Sequence, residues 1–224
     1  MNRSDFDHRV DMFIRLLRKP APDGVFHPWR DVDEELDQPR AARIRSDNLA
    51  LYLRAHENAR AILVGEAAGW AGCRFTGIPF TGENLFEGSD QLEWTNGLAL
   101  KRSSSKETPY KERSATVVWG EIAGDRNIVL WNAVPWHPHR PAEPLTNRKP
   151  TRTEQEAGKA VLMQYLQLFD RAEPIAIGRV SQEVLARIGI EAGYIRHPSM
   201  GGHNKFREGV RQLRRRLKSA SPAR

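Results

Sequence analysis

The sequence predicts an α/β fold of three layers, α/β/α, around a central, mostly parallel four-stranded sheet. One observation is the alternation of segments. Short apolar runs, Ala61-Ile62-Leu63-Val64, Ile128-Val129-Leu130-Trp131, Pro174-Ile175-Ala176-Ile177-Gly178 and Tyr194-Ile195, are separated by longer stretches whose apolar residues recur at helical spacing. A second is the character of those runs: partly β-branched and unbroken by polar residues, they fit strands covered on both faces. A third is size. The 224 residues, 39% of them hydrophobic, suffice to bury a core, and with no internal repeat or linker they read as one domain over 1–224.

Taken in order, Ser4 and Asp7 resemble a capping box with Asp in place of Glu. Phe6, Val10, Phe13, Ile14 and Leu17 follow as one helical face that ends near Pro20. Asp23 to Pro39 has no period and reads as a loop, and Arg40 to His56 as a helix with Ile44, Leu49, Tyr52 and Leu53 inward. The strand at Ala61 empties into Gly65-Glu66-Ala67-Ala68-Gly69 and then Thr76-Gly77-Ile78-Pro79-Phe80-Thr81-Gly82, where glycines let backbone approach a ligand. A short helix is expected within Leu85 to Leu100, and a Ser-rich, basic, mobile loop over Lys101 to Lys111. Val117-Val118-Trp119 alone suggests a strand, but a parallel sheet needs a crossover there, so Ala115 to Ile122 is read as a helix capped by Ser114. The strand from Asn127 to Trp131 ends at Asn132. Helices are then expected over Glu154 to Asp170, over Ser181 to Ile188, and from Asn204 to a frayed tail beginning at Ser219.

Charge narrows the class of partner. Lys and Arg number 35 against 28 Asp and Glu, a balance of +7, with pI near 9.8, which favours an anion, nucleic acid ahead of a membrane surface. The single Cys73 leaves no internal disulfide and no all-cysteine cluster, which fits a reducing compartment. Without an 18-residue apolar run or a signal-type amino terminus, a soluble, cytoplasmic, monomeric protein is expected, with no membrane partner.

Three strand ends bring polar groups to one edge of the sheet: Glu66, Asn132 and His197, with Phe80 as an aromatic face. A carboxylate positions water or stabilises a cation, an amide reads the donor and acceptor edge of a planar ring, and an imidazole stabilises developing negative charge. Each has a plainer reading, since strand-end Asn often caps a loop and a lone His is often structural. His137, His139, His197 and His203 invite a zinc site, but Pro138 intervenes and no cysteine or carboxylate pairs with them, so no metal or other cofactor is expected. The loop also lacks the pattern of a phosphate cradle or a dinucleotide fold. The basic carboxyl-terminal helix, with Arg207, Arg211, Arg214, Arg215, Arg216 and Lys218, reads first as a solvated face.

The ordered set Gly65-Glu66-Ala67-Ala68-Gly69, Thr76 to Phe80, Asn132, Asn147-Arg148-Lys149-Pro150 with Glu154, and His197-Pro198-Ser199 resembles the uracil-DNA glycosylase superfamily over roughly residues 40 to 210. It most resembles the iron-sulfur class, whose first motif is Gly-Glu-Ala-Pro-Gly. Two departures stand out: Ala68 replaces the proline, and the cluster's four cysteines are missing, so a cluster-free relative is expected.

The resemblance implies a repair enzyme that flips uracil out of DNA and hydrolyses its glycosidic bond. Glu66 and His197 would be catalytic, with Gly65, Ala67, Phe80 and Asn132 around the uracil. Asn147, Arg148, Lys149, Arg196, Ser199, Met200 and Gly201 would meet the DNA, Met200 as the wedge. Two alternatives stay open, a non-catalytic module that binds damaged bases and a glycosylase for other deaminated bases.

Overall fold

The computed structural model describes residues 3–86, 100–122 and 124–219. In chain order the elements are α1 (Arg3–Leu17), β1 (Val25–Phe26), α2 (Ala41–Ala55), β2 (Ala61–Ala67), α3 (Cys73–Thr76), a 3₁₀ turn (Glu83–Leu85) and α4 (Arg113–Ile122). After these come β3 (Ile128–Val134), β4 (His137–Pro138), α5 (Arg152–Leu168), β5 (Glu173–Ile177), α6 (Arg179–Arg187), β6 (Gly193–Ile195) and α7 (His203–Ser219). The short helix expected between Leu85 and Leu100, and the tail beyond Ser219, fall outside the described residues.

Strands order as β3-β2-β5-β6, all parallel, with helices on the sheet as expected. The core strands are apolar because both faces are covered: Ile62, Leu63, Val64 and Ile128 to Trp131 are fully buried. β3 lies at an edge, where its outward backbone groups need partners. Leu130 finds them in two tyrosines, its N–H donating to the Tyr52 hydroxyl of α2 at 2.6 Å and its carbonyl accepting from Tyr165 of α5 at 2.9 Å. These two bonds occupy the outward backbone groups at the middle of the edge strand. β2 sits where the chain reverses its direction of crossing, to β3 on one side and β5 on the other, so the carboxyl ends of these strands form the crevice of an open α/β sheet.

Several local expectations need correction. α1 begins at Arg3, so Ser4 lies within its span rather than ahead of it, and α4 begins at Arg113, one residue before the supposed cap. The loop from Asp23 to Pro39 contains β1, which pairs antiparallel with β4. β3 runs two residues past Asn132. The Ser-rich stretch is anchored, not mobile, near its start: Ser103 and Ser104 are buried, and both N–H groups donate to Glu83 Oε1, at 2.8 and 3.0 Å. Glu83 is itself buried, and a buried carboxylate demands such donors. α5, in contrast, starts with a full capping box, Thr151 accepting from the Glu154 N–H while Glu154 accepts from that of Thr151.

Candidate active site

The site forms around Gly65, which pairs in register with Asn132 on the neighbouring strand. A Cβ on Gly65 would lie 2.3 Å from Phe80 Cζ and 2.7 Å from Asn132 Oδ1, so only glycine lets ring and amide meet there. Asn132 is 3% exposed, and among the described residues its side-chain amide has no hydrogen-bond partner. It does not cap the following loop.

Phe80 occupies φ +52°, a left-handed conformation that a bulky residue holds only under constraint. The constraint comes from Thr76, whose hydroxyl accepts from Ile78 N–H and lies within bonding reach of the Ile78 and Thr81 carbonyls. Gly77 is fixed by space as well as by φ +74°, since a Cβ would stand 2.3 Å from the Arg45 carbonyl oxygen. Arg45 and Arg74 are themselves buried beneath the loop and share the Asp37 carboxylate, at 3.0 and 3.1 Å.

Glu66, half-buried near the end of β2, borders a cleft of about 430 Å³ with His197, Ser199, Arg196, Gly178, Arg179 and Tyr194. Burial pushes its carboxyl up, against the pull of the Lys149 ammonium. The His197 ring centroid is 6.2 Å from that of Phe80, which joins the cleft to the Gly65 pocket. Burial first, then Arg196, holds the His197 imidazole down at about 4, so it is neutral at ordinary pH. Its Nδ1 accepts from the Ser199 N–H at 3.1 Å and lies 2.7 Å from that hydroxyl. The remaining proton therefore belongs on Nε2, the nitrogen free to donate. Ala67 closes β2 opposite Val134 and contributes backbone to the same strand end.

Met200 and Gly201 both have positive φ, +52° and +73°, and Gly202 N–H closes the turn onto the Ser199 carbonyl at 3.0 Å. Positive φ at both central residues is the signature of a type I′ turn. It projects Met200, 90% exposed, beside His197.

The cations divide by whether the fold already uses them. Arg148, expected at the DNA, is committed internally: it grips Glu154 at 2.6 and 2.9 Å and donates to the carbonyls of Gly24 and His139. All its nitrogens are engaged, so it acts as a latch between β1, β4 and α5. On α7, Arg207 and Arg211 pair with Glu121, Arg214 with Asp125 and Arg216 with Glu173. Lys149, Arg179 and Arg196 form no ion pair among the described residues. Asn147, also expected at the DNA, accepts from the Trp70 N–H at 3.0 Å and so orders the loop after Glu66.

Gly178, Arg179 and Tyr194 are cleft residues that sequence reasoning missed. The Gly-Arg pair after the third apolar run was the available signal, because Gly178 has φ +87° and a Cβ on it would touch that of His197 at 3.3 Å. His137 and His139 turn to backbone carbonyls, His137 buried against Ala68 and Pro144. Among the described residues no three His, Cys, Asp or Glu stand close enough to hold a metal.

Comparison with known proteins gives a family and a fold. The family model for the Uracil DNA glycosylase superfamily matches residues 54–223. The crystal structure of wild-type Pedobacter heparinus SMUG2 superposes with a TM-score of 0.66, covering 96% of this chain and 99% of the other at 12% identity, which establishes a common fold. No curated protein matches the sequence.

Proposed function

The chain belongs to the uracil DNA glycosylase superfamily, and from that premise we propose that it is a monofunctional glycosylase of base excision repair that removes uracil from DNA and leaves an abasic site. The observation that carries this is the meeting of a strained aromatic face, Phe80, and an unengaged buried amide, Asn132, over a glycine, with Glu66 and His197 beside them. Such a pocket suits a planar ring with a donor beside an acceptor. Flipping a base into it costs a few kcal/mol of unstacking.

As the bond between deoxyribose C1′ and uracil N1 breaks, its electron pair leaves with the base and positive charge develops on the sugar. Glu66 faces that charge as a carboxylate and orients the water that adds to C1′. The Nε2–H of neutral His197 donates to the uracil carbonyl, where the negative charge gathers. The water's proton passes to Glu66 or to solvent, and the departed uracil takes one up in turn. No step calls on a metal. Met200 fills the gap left in the stack, and Lys149, Arg179 and Arg196 contact phosphates.

We read the chain as a cluster-free relative of the iron-sulfur class, on the strength of Gly65-Glu66-Ala67. Cys73 is buried and single, so the residues do not fit a four-cysteine cluster. The test is incubation with a uracil-containing oligonucleotide without added metal, followed by alkali. Strand scission at the uracil is expected, and Glu66→Ala should slow it roughly a hundredfold or more while keeping the fold. Binding without scission would make the protein a damaged-base module instead, and scission only at other deaminated bases would move the substrate.

A further inference from the structure

We propose that Trp70 is a stacking platform for a nucleobase of the substrate strand adjacent to the flipped nucleotide, a second base-binding position beside the pocket; the proposal rests on the glycosylase reading. Trp70 follows Glu66 by four residues and is partly exposed. Its backbone N–H donates to the Asn147 side chain, two residues from the Lys149 whose charge acts on Glu66, which ties the platform to the segment that reaches the catalytic carboxylate.

Ring geometry shows what meets the indole. Tyr110 carries Phe75 stacked on one side, centroids 4.1 Å apart and planes within 8°. The Lys106 ammonium lies 4.8 Å over its other side. With both faces of Tyr110 covered, Trp70, 5.8 Å away at 81°, meets the tyrosine at its edge. Among the described residues no other ring and no cation stacks on the Trp70 indole. The platform is also braced. Behind Phe75 the Arg74 guanidinium sits 4.1 Å from its ring and 4.1 Å from that of Phe26, a stack that reaches from the core to the mouth. Gly69 and Gly72 bracket Trp70 and let the loop lie against Glu112, whose Oε2 would be 1.7 Å from a Cβ on Gly72.

A rigid aromatic face flanked by Lys106 and Lys149 has the composition of single-strand nucleic-acid sites, in which bases stack on rings and cations follow the backbone. A base stacked on Trp70 would be drawn out of its duplex partner, so the contribution should be largest on single strands. Arg and Lys alone would not discriminate in this way.

The experiment compares wild type, Trp70→Ala and Trp70→Phe on single-stranded uracil oligonucleotides in which a baseless tetrahydrofuran spacer replaces each neighbour of the uracil in turn. Binding is read by fluorescence anisotropy and excision by single-turnover rate. Trp70→Ala should weaken binding roughly five- to a hundredfold, leave the rate at saturation unchanged, and be largely rescued by Trp70→Phe. One spacer position should weaken wild type by the same factor and leave Trp70→Ala unaffected. Equal loss from Trp70→Ala at every spacer position, or a fall in saturated rate at constant affinity, would overturn the platform. Melting temperatures separate these results from misfolding. Because anisotropy needs no turnover, a wild type that binds with the expected spacer pattern but never excises would sink the glycosylase reading and leave the platform standing.

Discussion

At the residue scale, the unengaged amide of Asn132 makes the sharpest statement about specificity. Uracil offers an N3 donor beside an O4 acceptor, which one amide matches with its oxygen and nitrogen, whereas cytosine reverses both. Each polar group left unpaired in a buried site costs roughly 1 to 3 kcal/mol, so two mismatches separate the bases by orders of magnitude. Asn132→Asp should narrow the uracil-to-cytosine excision ratio, and an unaltered ratio would remove Asn132 from the pocket. Glu66 supplies the pH test. In the proposed mechanism it works as a carboxylate; burial raises its pKa and Lys149 opposes that rise. Lys149→Met should therefore shift the acid limb of kcat/KM to higher pH. A limb that stays put would detach Lys149 from Glu66.

At the scale of elements, two of the four non-glycine residues held at positive φ among the described residues, Phe80 and Met200, lie in turns that present a side chain to the proposed substrate. Phe80 is held at positive φ by the Thr76 hydroxyl and the close approach of Gly77 to Arg45, so the ring is oriented before any base arrives. Met200 is held by the Gly202-to-Ser199 closure, and a Cβ on Gly202 would stand 2.0 Å from the His197 carbonyl oxygen. The same turn thus sets the proposed wedge and the His197 imidazole. Met200→Ala should slow excision more on duplex than on single strands, since only the duplex has to be unstacked. Equal effects on the two substrates would place the wedge elsewhere.

For the molecule as a whole, the titration of its interior predicts acid sensitivity. His27, His56 and His137 are buried, and burial lowers each to about 4 from the ordinary 6.5. Between those values the unfolded chain binds protons that the folded chain refuses, so their contribution, complete above pH 6.5, is lost as pH falls toward 4. Glu112, raised to about 6 by burial, acts in the opposite sense, because the folded state takes its proton first. Three imidazoles against one carboxyl leave a net loss of stability as pH falls through this range. Thermal melts from pH 7 to pH 4 should show a steeply falling midpoint, and a flat profile would mean that these imidazoles are charged or hydrated in the fold.

What the sequence determined by itself was the layered α/β fold and the ordered motifs. Strands buried on both faces must be apolar, and glycines are obligatory where backbone or ring approaches closely; both constraints are written locally, as at Ala61–Ala67 and Gly65. The two-residue ribbon of β1 and β4 escaped notice because two residues carry no period. The Ser-rich loop misled because its partner, Glu83, lies 20 residues away. Sequence also supplied the cations without saying which were free. Only the tertiary structure assigned Arg148 to Glu154 and the α7 arginines to Glu121, Asp125 and Glu173, leaving Lys149 and the cleft residues Arg179 and Arg196 without an ion pair among the described residues. The physical reason is that an arginine's role depends on which carboxylate lies within about 3 Å, a distance set by how separate elements pack rather than by neighbours in the chain.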